Sequence, residues 1–350
     1  MVRRLGTWCL WSRRWDAWLD RVTSRCGMLS EARRRAVTFW IGLPLRWMAR
    51  STFLRAALRR ANDAACRLDV VHVHETGWLA GLGSQLAADW GVPVICKVRN
   101  TPALDVIGYD VPMRRHWDAL RRQVHFVALH DQLSEELRAH RVPESHISLI
   151  PNGTDVPAQL SSEARDPNHV LYVGNFSQGA LHKGFDVLIA AWARIQEQAP
   201  QARLMLVGGG DPRPWEDMAV ASNCRSSMEF VGYVSDVGPL YERASVFIFP
   251  SRHEGMSNAL LEAQSHGLPA VASDIPANRA VVDPGETGIL VPVDDPGNLA
   301  AATLQLLNDH EERERLGRNA HARMRTLFDR TVIARTMLQL YHREKERVSA

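Results

Sequence analysis

From Leu68 to the carboxyl terminus, short apolar runs rich in β-branched residues alternate with amphipathic segments of helical period. Few folds accommodate that alternation. Strands that are apolar on both faces must be covered on both faces, and a helix between successive strands returns the chain for parallel pairing, so the class is α/β. The first series places strands at Leu68–His74, Pro93–Val98, His125–Leu129 and His146–Ile150, with helices at Trp78–Trp90, Met113–Gln123 and Gln132–His140. It ends at Pro151-Asn152-Gly153, a turn signal. Residues 156–168 are polar with proline near both ends and read as a linker. A second series follows. Its strands are His169–Val173, Arg203–Val207, Met228–Tyr233, Ser245–Phe249, Ala270–Ser273 and Gly288–Val291. Its helices are Lys183–Gln198, Trp215–Ser222, Asp236–Arg243, Asn258–His266, Pro296–Asn308 and His310–Leu327, with a last helix at Arg330–Arg347.

Two series suit a 350-residue chain, which is too long for one ordinary domain. The expected division is a head at 1–67, an amino-terminal Rossmann-like domain at 68–155, the linker at 156–168, a carboxyl-terminal Rossmann-like domain at 169–327 and a closing helix at 328–350. In open α/β sheets, ligands bind beyond the carboxyl ends of the strands, so chemistry is sought just after each strand.

Composition sharpens the boundary near Leu68. A hydrophobic share of 45% and a charged share of 23% exclude a disordered or collagenous chain. The five cysteines form no CxxC pair, which speaks for reduced thiols and against a zinc site. The net charge of +3 is an average of unlike parts: residues 1–68 hold fifteen Arg, no Lys and four acids, a net of +11, and the remainder carries −8. The head also holds six of the eleven Trp. No stretch of it reaches the roughly 20 apolar residues that cross a bilayer, and it lacks the apolar centre of a signal peptide. Trp8, Trp11, Trp15 and Trp18 fall on one helical face with Arg13, Arg14 and Arg21 beside it. That stripe suits the surface of an anionic membrane. Packing against the rest of the protein and an irregular start are equally open readings. Nucleic acid is not expected as a partner, because the basic excess is confined to the head. The expected location is cytoplasmic, peripheral on the inner face of the membrane.

Three strand-end loops carry candidate chemistry. After His169–Val173 comes Gly174-Asn175, and the loop runs on to His182-Lys183-Gly184, where a lysine opens a helix and can hold phosphate. The loop matches neither a Walker A loop nor GxGxxG. After Arg203–Val207, Gly208-Gly209-Gly210 allows a ligand close to the backbone or simply turns the chain. After Ser245–Phe249, Glu254-Gly255-Met256-Ser257-Asn258 leads into a helix whose N-cap is Ser257 and which carries Glu262. The N–H groups of that helix start point at an anion, and the two carboxylates flank it. Carboxylates avoid phosphate and seek hydroxyls, so the pattern fits a nucleotide sugar: ribose hydroxyls, diphosphate, sugar hydroxyls. In the first series, His72 and His74 share one face of a strand and are candidate metal ligands.

The segment HEGMSNALLEAQSHGLP, with seven residues between Glu254 and Glu262, resembles the E-x7-E motif of family-4 glycosyltransferases, which have the GT-B fold. LIPNGTD, HKGFDVLIAAW, LMLVGGGD and ETGILVPVDDPGNLA extend the resemblance over about residues 68–346. The resemblance implies two doubly wound domains facing a cleft, and retaining transfer from a nucleoside-diphosphate sugar (UDP-, GDP- or similar) to a glycan or lipid-linked acceptor, without metal or other cofactor. It implies Glu254 on the donor-sugar hydroxyls and Lys183 on the leaving diphosphate as catalytic residues. On the donor it implies Glu262 at the ribose and the N–H groups of Met256, Ser257 and Asn258 at the phosphates, with Gly174, Asn175, His182, Gly208, Gly209 and Gly255 lining the site. For His72 and His74 it implies strand-end residues at the cleft instead of metal ligands. His74, Glu75, Arg99 and Asn100 would face the acceptor. The chain departs from the pattern at Asn175, where the family often has an arginine, and at Arg99, where it often has a histidine. Residues 1–40 show no opening strand with a glycine-rich loop, so the amino-terminal domain is expected to be incomplete. Competing readings are a sugar-nucleotide epimerase of the same fold, against which the E-x7-E block speaks, and a degenerate module that binds donor without turnover.

Overall fold

Val71–Val73 (β1), Val94–Lys97 (β2), Val124–Ala128 (β3) and Ile147–Leu149 (β4) form an all-parallel sheet in that order in the computed structural model. The structure describes residues 69–74, 78–98, 111–176 and 181–349. The tryptophan stripe of the head lies outside the described residues, and so do Glu75, Arg99 and Asn100. Both sheets belong to one compact unit, Asp69–Ala350. Trp78–Trp90 (α1), Val111–Gln123 (α2) and Asp131–Ala139 (α3) connect the strands of the first sheet. The apolar runs are strands because both faces are covered: every residue of β3 is buried.

The second sheet holds His169–Val173 (β5), Arg203–Val207 (β6), Met228–Gly232 (β7), Val246–Phe249 (β8), Ala270–Ser273 (β9) and Gly288–Val291 (β10). All pairs are parallel, in the order β10-β9-β8-β5-β6-β7. Its helices are Phe185–Gln198 (α4), Arg213–Ala221 (α5), Gly238–Arg243 (α6), Asn258–Ser265 (α7), Pro276–Val281 (α8), Pro296–Asn308 (α9) and His310–Arg323 (α10). The architecture is thus the expected α/β one with two parallel sheets. The order reverses between β5 and β8, with β6 and β7 on one side and β9 and β10 on the other. That switch point leaves a crevice at the carboxyl ends of β5 and β8, which are the strands preceding the lysine loop and the glutamate loop.

Three local expectations are corrected. The helix read as Lys183–Gln198 begins at Phe185; Lys183 sits in a separate 3₁₀ turn, Leu181–Lys183. Gly184 breaks the two apart, with a left-handed φ of 69°. A Cβ there would lie 2.1 Å from the Pro250 carbonyl oxygen. Second, the helix read as His310–Leu327 becomes a π-turn at Met324–Phe328, which keeps both Met324 and Phe328 buried. Third, α8 had no counterpart in the sequence reading, because six residues opened by proline show too little periodicity to register.

Two connections join the sheets. The outgoing chain passes Thr154 and the returning chain passes Asp329, and the two meet as a parallel bridge. Thr154 N–H donates to the Phe328 carbonyl at 2.9 Å and Arg330 N–H to the Thr154 carbonyl at 2.9 Å. The linker is pinned where Arg165, through Nη1 and Nη2, donates to the carbonyls of Tyr241, Glu242, Ala244 and His266. The returning chain becomes Arg330–Ser349 (α11), which lies on the first sheet. There Met337 and Leu340 pack with Ile95, Val127 and Ile150. Around that apolar patch, His72 Nδ1 and the Tyr341 hydroxyl are 2.6 Å apart, and Lys345 pairs with Asp69 at 2.6 Å. Among the described residues no helix is long and apolar enough to cross a membrane.

Candidate active site

An aromatic floor supports the crevice. Tyr172, Phe176, Phe185, Phe247, Phe249 and Trp215 are buried beneath it, with Phe185 stacked on Trp215 at 4.9 Å. Above them a cavity of about 620 Å³ opens between the sheets. From the second sheet it is lined by Gly174, Lys183, Glu254, Gly255, Met256, Ser257 and Asn258, and from the first by His74, Lys97 and Asn152. Eight of the sequence-derived candidates therefore share one cavity.

Lys183 and Glu254 come from different loops yet meet at 2.5 Å, with Lys183 Nζ 5.9 Å from the centre of the Phe249 ring. The lysine and glutamate loops are clamped by a residue the sequence reading passed over. Arg252 grips Asp186 in a bidentate pair at 2.9 and 2.6 Å and reaches the Leu181 carbonyl at 2.6 Å and Asp294 at 2.6 Å. Its own N–H donates to the His182 carbonyl at 2.7 Å. The Arg252 guanidinium holds the Asp186 carboxyl below its ordinary pKa. The sequence signal was present: an arginine three residues beyond a strand end and an aspartate in the first turn of the facing helix.

Gly184 allows the same clamp from the backbone side. Gly184→Ala adds the cost of a left-handed L-residue, about 1–2 kcal/mol, to the collision with Pro250. The expected result is a lowered melting temperature together with weakened nucleotide binding. Thermal unfolding with and without nucleotide checks this; an alanine variant that melts and binds like the parent would remove the clamp from the account.

Ser257 caps α7 as expected, its Oγ accepting from Leu260 N–H at 3.4 Å. The first-turn N–H groups of a helix have no intrahelical acceptor, and Met256 to Ala259 line the cavity, so the positive end of α7 faces the same space as Lys183. A further contact was not foreseen. Asn152, from the turn that ends the first series, donates through Nδ2 to the Met256 carbonyl at 3.3 Å and to Asn258 Oδ1 at 3.2 Å. Its own N–H donates to the Met256 sulfur at 3.2 Å.

The other candidates lie elsewhere. Glu262 is not among the residues that line the cavity: its carboxylate accepts from the Tyr241 hydroxyl at 3.1 Å, with Arg330 and Asp155 nearby, and burial pushes its carboxyl above the usual pKa. His182 has an exposed side chain outside the lining, and Asn175 is also outside it. Gly208 acts through backbone proximity, since a Cβ on it would fall 1.8 Å from the Gly174 carbonyl oxygen. Gly209 accepts from Phe176 N–H at 2.8 Å. Of the acceptor-side candidates, His74 lines the cavity and its ring stacks on His72 with centroids 4.5 Å apart. Burial lowers the pKa of His72 to about 4, and among the described residues no group of three His, Cys, Asp or Glu is arranged to hold a metal ion.

Two family descriptions match the chain: "Glycosyltransferase Family 4" over residues 16–157 and "Glycosyl transferases group 1" over residues 167–309. The first match begins inside the basic head, well upstream of the point where the resemblance is legible by eye. The glycogen synthase of Mycobacterium tuberculosis (strain CDC 1551 / Oshkosh) is 30% identical over 314 residues, covering 82% of this chain and 72% of that protein. Among solved structures, sucrose-phosphate synthase from Thermosynechococcus elongatus superposes with a TM-score of 0.70 at 28% identity, covering 83% of this chain and 77% of that one. Anabaena Alr3699/HepE, solved in complex with UDP, gives a TM-score of 0.70 at 17% identity, covering 82% and 81%. The chain belongs to the family-4 glycosyltransferases and is a glycosyltransferase of the GT-B fold.

Proposed function

We propose that the protein moves a sugar from a nucleoside-diphosphate donor to a glycan or lipid-linked acceptor, with retention and without metal, in cell-surface polysaccharide or glycolipid synthesis. The observation that carries the reading is the cavity in which the Lys183–Glu254 pair and the amino terminus of α7 converge. Departure of a nucleoside diphosphate builds negative charge on its bridging oxygen, and a cation plus preorganised N–H groups aimed at that charge stabilise it. Lys183 and the N–H groups of Met256, Ser257 and Asn258 take that role. Glu254 then exchanges the lysine for hydroxyls of the donor sugar. Glu262, beside Tyr241, takes the ribose hydroxyls. The UDP complex of Anabaena Alr3699/HepE supports a uridine nucleotide as the first donor to try. In this reading the enzyme works at the cytoplasmic face of the membrane.

A thermal-shift series with UDP, GDP and ADP tests the donor side. A ligand at 100 times its Kd adds about 2.7 kcal/mol of apparent stability. One of the three should raise the melting temperature, and the matching sugar nucleotides should then be turned over, at a rate that excess EDTA does not change. Nucleotide binding with no turnover of any donor sugar would make the chain a degenerate binding module. A rate abolished by EDTA and restored by a divalent ion would end the metal-free reading.

A further inference from the structure

The first-sheet wall of the cavity carries a charge that the diphosphate does not account for. Lys97 is the last residue of β2 and lines the cavity near His74, on the sheet opposite Lys183 and α7. It is half-buried, and burial lowers the pKa of its ammonium. Among the described residues no carboxylate pairs with it, and Glu254, the one acid in the described lining, is engaged by Lys183 at 2.5 Å. Its charge is felt at His72, whose protonation it opposes. The described lining therefore holds two ammonium groups, one carboxylate and the positive end of a helix: a surplus of positive charge divided between the two walls. An ammonium drawn partly out of water with no counter-ion is costly, and an anion delivered by a ligand offsets that cost.

The donor's diphosphate is served on the second sheet by Lys183 and α7. We propose that Lys97 binds an anionic group, phosphate or carboxylate, on the acceptor, close to the hydroxyl that receives the sugar. The assignment rests on the glycosyl-transfer reading above and narrows its acceptor to one that is negatively charged near the accepting carbon. A hydrogen bond to a charged group contributes enough for about a ten-fold preference or more over the neutral analogue.

Full-length protein saturated with UDP, which occupies the Lys183 side, is titrated with glucose 6-phosphate, glucuronate and inositol 1-phosphate, each against its neutral parent glucose or inositol. In parallel it is sedimented with phosphatidylinositol or phosphatidylcholine vesicles. At least one anionic probe should bind ten-fold or more tightly than its neutral parent. Lys97→Met should erase that ratio by a factor far larger than any change in UDP affinity, and Lys97→Arg should restore it. A preference seen with the soluble probes assigns the anion to a sugar acid or sugar phosphate, and one confined to phosphatidylinositol vesicles assigns it to a lipid head group. Equal binding of charged and neutral probes overturns the proposal. So does a Lys97→Met variant that loses UDP affinity in step with the probes, since the lysine would then belong to the donor. Failure of the wild-type chain to bind UDP, GDP or ADP strikes the donor reading instead, and is seen before Lys97 is altered.

Discussion

Lys183→Ala is expected to lower kcat by about 10²–10³-fold, the usual cost of removing one preorganised group from a developing anion. The loss should fall on kcat more than on nucleotide affinity, because the charge that Lys183 meets grows as the diphosphate leaves. Its side chain is only 19% exposed and lies near the Phe249 ring, so solvent screens its field less than that of a surface lysine. Alanine also leaves Glu254, 12% exposed, without its 2.5 Å partner. Circular dichroism and melting curves must therefore accompany the kinetics. Glu254→Gln separates the roles: it keeps the shape and a hydrogen-bonding side chain for sugar hydroxyls but removes the charge that holds Lys183. If the lysine acts on the leaving group and the glutamate on the sugar, single-turnover assays will show Lys183→Ala slow at saturating donor, and Glu254→Gln impaired in both donor-sugar binding and rate. A Lys183→Ala enzyme within three-fold of wild type would take the leaving-group role away from this lysine.

Acidification should loosen the seat of the last helix. His125 is fully buried on β3, with Nε2 2.9 Å from Ser148 Oγ and Nδ1 3.0 Å from Glu344 Oε1, the latter off the line of a good hydrogen bond. Burial brings its pKa down to about 4; Glu344 opposes that shift, and Arg343, His146 and Arg347 add to it. In the unfolded chain the same histidine takes its proton near 6.5. Above about 6.5 both states are neutral and pH has no effect through this group. Between about 6.5 and 4 the unfolded chain binds the extra proton, so stability falls as pH falls. The full window is worth on the order of 3 kcal/mol for this one histidine, and about 2 kcal/mol of it is gone by pH 5. His72, with its pKa also near 4, acts in the same direction at the other side of the helix seat. Urea unfolding at pH 7.5 and pH 5 should show the loss in the wild type. The difference between the two pH values should shrink in His125→Asn, even if that variant is less stable at both. A wild-type stability unchanged between the two pH values would mean that the buried histidine is not kept neutral.

How much of this was legible beforehand follows from the range of each signal. β5, β6, β9, β10 and α9 are read to the residue because apolar runs and caps are local. The Ser257 cap and the cavity-facing Glu254 are local in the same sense. What the sequence could not show is which distant residues meet. The Lys183–Glu254 contact spans 71 positions, the Arg252–Asp186 clamp 66, and the Asn152–Asn258 contact 106. None of these pairings leaves a periodic trace. Lys97 was passed over for a different reason: a lysine at a strand end looks like a solvated terminus until the fold shows it half-buried in the wall of a cavity. The carboxyl-terminal helix was placed correctly along the chain, but its bed of Ile95, Val127 and Ile150 on the first sheet could not be read from its own residues.

The parallel bridge at Thr154 and Asp329 also sets the mechanics of the pair of sheets. Two separate straps, one at each side of the crevice, would resist its opening like the stitching at both edges of a pocket. Here both passages of the chain cross at one place, held by short backbone hydrogen bonds. A swivel of the halves about that single line would stretch neither passage. Asn152, two residues from the pivot, then sits where a small rotation changes its grip on the start of α7. Opening and closing of the jaw would thus be sensed first at the positive tip of the helix on which the nucleotide's phosphates are expected to rest.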